Sequence, residues 1–131
     1  MVISLLLAQD RLEKLAATQK AYASEIHAPL YDKDNPEPAI RYWADYFDVS
    51  YTELDTTIRC ESAYNPAAKG DRVAGVYTSF GIAQFHNPET DWGFSKENAH
   101  NPDFALPRMA RAFSEGEQRR WSCWKIHFGS Y

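Results

Sequence analysis

Residues 60 to 66 read Cys-Glu-Ser-Ala-Tyr-Asn-Pro. The stretch sets one carboxylate, Glu61, at the end of a predicted helix, between Ile58 and Tyr64 and just before a turn. A carboxyl shielded by apolar neighbours is desolvated, and desolvation raises its pKa. The negative end of the helix dipole acts in the same direction. A carboxyl that keeps its proton near neutral pH can give it to a leaving oxygen, the task of a glycosidase general acid. Further on, Ser79-Phe80-Gly81-Ile82-Ala83-Gln84 supplies a hydroxyl, a conformationally free glycine and an amide. The Gln84 amide can both donate and accept. Tyr77 belongs to the same loop. Trp92, Trp121 and Trp124 offer aromatic faces that either stack on pyranose rings or fill a core.

Other chemistries fit these residues less well. The chain has no C-x-x-C pair and no H-E-x-x-H, so neither a metal nor another cofactor is expected. A peptidase using Cys60 as nucleophile and His86 as base is disfavoured. Reactive thiolates prefer helix N-termini and nearby cations, whereas Cys60 precedes a glutamate near a helix C-terminus. Cys60 and Cys123, 63 positions apart, either form one bond or stand as two buried thiols. A bond would stabilise by roughly 4 kcal/mol in the chain-entropy picture and imply an oxidising compartment. Fourteen basic against eighteen acidic residues give a net charge of −4, without the basic field of a nucleic-acid binder.

At 131 residues, the chain is long enough for one core. Leu5, Ala8, Leu12, Leu15, Gln19, Tyr22 and Ile26 alternate steps of three and four, predicting an amphipathic helix over 3–26. That helix either packs on its own domain or pairs with a second copy. The apolar run Val2 to Ala8 is too short to span a bilayer and a poor signal peptide, so delivery by another route, or a removed signal, is expected. The proline-rich stretch 28–38 reads as a linker or exposed loop, dividing an N-terminal part, 1–34, from a domain over 35–131. Helix is predicted from about Pro36 or Pro38, with Ile40, Trp43, Tyr46 and Phe47 on one face. Ser50 and Glu53 form a capping box for a helix over 51–62 that buries Leu54 and Ile58. From 65 to 93 the glycines punctuate loop-like sequence in which 72–79 can make a small hairpin. A helix over about 104–120 and an aromatic tail packed on the core complete the reading.

Glu-Ser-Ala-Tyr-Asn-Pro-Ala-Ala followed by Ser-Phe-Gly-Ile-Ala-Gln resembles the paired motif of soluble lytic transglycosylases, within the lysozyme-like superfamily. Glu61, Ser62, Tyr64, Asn65, Pro66 and Ala68 match the first half; Ser79, Gly81, Ile82 and Gln84 match the second. The match is firm over 57–93, looser to 124, and absent from 1–34. It implies a mainly α, lysozyme-like α+β fold with a small irregular or β-hairpin insertion after the catalytic helix. It implies Glu61 as the single catalytic acid/base and Gln84, Ser79, Tyr77, Gly81, Ile82, Tyr64 and Trp92 along the substrate. Ser62, Asn65 and Pro66 would shape the helix exit. The tyrosine that such proteins often carry late in the domain, in an Ala-Tyr-Asn segment, is missing; Arg-Trp-Ser-Cys-Trp-Lys stands there instead. Cys60 beside Glu61 and the late Cys123 are similar to resuscitation-promoting-factor domains, which implies a Cys60–Cys123 bond.

The implied substrate is peptidoglycan glycan, cleaved between MurNAc and GlcNAc outside the cytoplasm (secreted, periplasmic, wall-associated or phage-delivered). Asp71, Glu89, Asp91 and Asp103 form no pattern that marks a second catalytic acid. Substrate assistance removes the need for one, and a 1,6-anhydro product follows. Hydrolytic muramidase action and an inactive saccharide-binding module are the alternatives.

Overall fold

The computed structural model describes Arg11 and residues 27–130. The helix expected over 3–26, with its self-association, lies outside the described residues except for Arg11, which is helical and exposed. The first helix of the body, α1 (Glu37–Phe47), starts behind Pro36 and buries Ala39, Ile40, Trp43 and Ala44 on one stripe. Tyr46 and Phe47, expected on that stripe, are only partly covered. Asp48 ends it in a left-handed conformation. Next comes α2 (Tyr51–Ser62), where Ser50 Oγ accepts the Glu53 N–H at 3.2 Å. The Glu53 carboxylate receives the Trp124 indole N–H at 2.9 Å. Leu54, Thr57 and Ile58 turn inward, and the Thr57 hydroxyl is satisfied by Glu53 O at 2.7 Å.

A three-stranded antiparallel sheet follows, in the order β1 (Lys69–Val73), β2 (Val76–Phe80), β3 (Phe85–His86). The β1–β2 turn is Ala74-Gly75, both at positive φ, the two-residue geometry whose twist suits a hairpin. A wide π-type turn, Pro88–Trp92, leads to α3 (Lys96–His100) and α4 (Pro102–Ser114). The helix expected over 104–120 starts two residues sooner and stops at Ser114, because Gly116 takes a positive φ. A 3-10 turn, Gln118–Arg120, then opens α5 (Ser122–Phe128).

The molecule is mainly helical with this small sheet. Ile40, Leu54, Ile58, Ile82, Phe85, Leu106 and Met109 form its centre. Burying such side chains contributes about 1.5–3 kcal/mol each relative to exposure. Cys60 and Cys123 are bonded, their Cα atoms 5.9 Å apart, so neither is a free thiol. The proline-rich stretch is not a free linker. Ala28 and Tyr31 pack on the core, Tyr31 N–H donates to Asp103 Oδ1 at 2.8 Å, and its hydroxyl donates to Tyr64 O at 2.7 Å. Among the described residues no helix is long and apolar enough to cross a membrane.

Candidate active site

Glu61 leaves the last turn of α2 on the side where Leu54 and Ile58 anchor the helix to the core. Ser62 is buried, and its hydroxyl closes on Ile58 O at 3.1 Å. The chain then reverses through Ala63 and Tyr64, both left-handed, with φ of 51° and 65°. Asn65 Oδ1 accepts the Ala67 N–H at 2.9 Å, and Pro66 O receives His100 Nδ1 at 2.8 Å. These bonds hold the chain as it leaves the helix.

The Glu61 carboxylate is half-buried where α2 meets α5. Oε1 accepts the backbone N–H of Cys123 at 3.3 Å and the hydroxyl of Ser122 at 3.5 Å. Burial holds its pKa above the ordinary glutamate value, and the negative charge of Asp71 adds to the rise. The Cys123 and Ser122 hydrogen bonds favour the charged form and offset part of it. Glu61 opens on a cleft of about 370 Å³ between the sheet and the C-terminal segment. Gln84, His86 and Asp71 border it from the sheet side, and Trp92, Arg120 and Lys125 from the other.

Gln84 stands at φ 51° and spends its amide nitrogen on Ala68 O and Gly81 O, at 3.1 and 2.9 Å. Its donors are therefore occupied, and its carbonyl oxygen lies against Gly70, where a Cβ would meet it. Trp92 lines the cleft, but the Arg120 guanidinium covers its ring at 3.5 Å. That face is not open to a sugar.

Several expected contacts lie elsewhere. Ile82 is fully buried in the core, with Ile58 and Phe85 in the same cluster. Gly81 does pass close to another backbone, at φ 82°, but the neighbour is Ala99 O rather than a saccharide. Tyr64 turns to Asp55, donating at 3.0 Å, and its pKa is pushed up to about 12 by burial and by that carboxylate. Tyr77 is exposed on the hairpin beneath Arg72, outside the Glu61 cleft. Trp121 is core, its indole N–H bound to Ala83 O at 2.8 Å, and Trp124 packs against α2 through Glu53. Ser79 is buried and serves the site indirectly: its hydroxyl donates to Asp71 Oδ2 and lies 3.1 Å from His86 Nδ1.

Of the four carboxylates that the sequence left without a pattern, Asp71 comes nearest to the chemistry. It reaches the cleft from β1 with φ 53° and is held by Ser79, with His86 Nδ1 3.9 Å away. Its only sequence signal is its place after Gly70 in the hairpin arm. Asp91 also lines the cleft, whereas Asp103 is tied to Tyr31. A larger hollow of about 590 Å³, bordered by Trp43, Phe47 and Phe104, does not include Glu61. No group of three or more metal-ligating side chains occurs among the described residues.

Chemically, the cleft combines a carboxyl of raised pKa, a second carboxylate and a cationic wall. Comparison of the chain with protein-family models, curated proteins and solved structures finds no match.

Proposed function

We propose that the protein is a peptidoglycan lytic transglycosylase of lysozyme-like type, cutting the β-1,4 bond between MurNAc and GlcNAc with Glu61 as its acid and base. The observation that carries this reading is the half-buried Glu61 carboxyl, raised in pKa, at the floor of a cleft that also holds Gln84. Protonated Glu61 gives its proton to the glycosidic oxygen while the 2-acetamido oxygen of the substrate attacks C1. The carboxylate left behind takes the proton of the 6-hydroxyl, whose oxygen displaces the acetamido group and closes the 1,6-anhydro ring. The Cys123 N–H and Ser122 hydroxyl stabilise the carboxylate between those two transfers. The paired motif, the mainly helical build with a small sheet after the Glu61 helix, and the disulfide beside the acid all support the reading. Such a protein works in an oxidising, extracytoplasmic setting.

A hydrolytic muramidase is the second reading, and Asp71 favours it. Two carboxylates flanking a bond are the usual equipment of hydrolysis, and Asp71 shares the cleft with Glu61. Mass spectrometry of digested, purified sacculi separates the two. Anhydro-muramyl ends are expected; products that all carry an added water would make the enzyme a hydrolase. Walls that bind the protein yet lose no turbidity would leave a binding module.

A further inference from the structure

The C-terminal segment Arg119 to Lys125 does more than back the acid. It gives the cleft two cations, Arg120 and Lys125, on the side away from β1. The Arg120 guanidinium is laid flat on Trp92, 3.5 Å from the ring centre, and that ring packs in turn on Phe85 and Trp121. Stacking and cation–π attraction fix the plane of the fork. Its other bonds are long and peripheral: Glu117 Oε1 at 3.3 Å and Asp91 O at 3.4 Å. Both partners of the Glu117 pair are over a third exposed, so it is a weak surface contact. A guanidinium so held is prepared to grip a planar oxyanion through two parallel hydrogen bonds. The sugar rings and N-acetyl groups of the proposed substrate are neutral. Its carboxylates sit on the branch that leaves the muramyl ring.

We propose that Arg120, with Lys125 on the same wall, binds a carboxylate on the side branch of the glycan, making the protein selective for acidic, branch-bearing strands over plain amino-sugar chains. This rests on the reading of the cleft as a saccharide site. The carboxylate belongs either to the stem peptide or to a free lactyl group.

The test is calorimetric titration of the uncleaving Glu61→Gln protein with three probes: a disaccharide–peptide, the same disaccharide with its lactyl carboxylate free, and neutral chitotetraose. At least one acidic probe is expected to bind about tenfold tighter than chitotetraose, the low end for a hydrogen bond to a charged group. The stronger of the two identifies the source. Raising the salt concentration should weaken the acidic probe selectively, a readout that needs no further variant. Adding Arg120→Gln should bring the affinity ratio close to one. Equal affinities at low salt, or a preference that survives Arg120→Gln unchanged, would overturn the proposal. If chitotetraose binds without any preference, only the branch site is lost. If no probe binds, the saccharide reading of the cleft is lost with it.

Discussion

At the scale of single residues, the central group is Glu61, whose raised pKa has consequences for activity and for stability. Replacing it by Gln keeps the shape and removes the titrating proton, so cleavage should fall by about 10²–10⁴-fold, the range for general acid–base catalysis. A wall-turbidity assay reads the loss. In the native state Glu61 binds its proton more tightly than in the unfolded chain. Stability therefore falls as pH rises from the ordinary glutamate pKa, about 4.3, through the higher folded value. Glu61→Gln should raise the unfolding temperature at neutral pH and lose that advantage near about pH 4, where both forms are uncharged. Asp71→Asn removes a charge that helps to keep the proton on Glu61. In that variant the alkaline limb of the pH–rate profile should move to lower pH, with cleavage persisting. Loss of cleavage at every pH would instead make Asp71 a chemical partner and favour hydrolysis.

Among the elements, the hairpin and the sharp turns decide what meets Glu61. The local pieces were legible in the sequence: the Ser50 cap, the Leu54–Ile58 stripe, the Asn65 turn and the Ala74-Gly75 hairpin. Each is written in neighbouring residues. Asp71 was not legible, because its place in the cleft depends on how β1 pairs with β2, which local spacing does not encode. The short helices α3 and α5 were missed as well, since five and seven residues display too little periodicity. Gly81 was singled out for a close approach, which is real, yet the partner is Ala99 of α3. Gly81→Ala would push a methyl into that carbonyl at a positive φ. It should destabilise by about 2 kcal/mol or more, by the mechanisms of left-handed strain and overpacking. Thermal unfolding checks it. A variant as stable as the wild type would show that the sheet and α3 can part without cost.

For the whole molecule, the covalent tie between Cys60 and Cys123 joins α2 to α5 across 63 positions. The packed body begins no later than Ala28, so the proline-rich stretch and the C-terminal tail both close on the region around Glu61 and Tyr64. Cys60→Ser with Cys123→Ser should lower stability by about 2–5 kcal/mol, the usual loss for a native disulfide. Because Cys123 also supplies the amide that Glu61 accepts, cleavage should suffer in the folded fraction too. Comparing denaturant midpoints with rates per folded molecule separates the two effects.

The residue just before the acid is covalently attached to the residue whose amide holds it. A transplant of the sequence motif alone onto a foreign scaffold would therefore leave the carboxyl dangling. Any graft must carry the distant tail with it, because a peptide ending before Trp121 lacks the amide that holds the carboxyl.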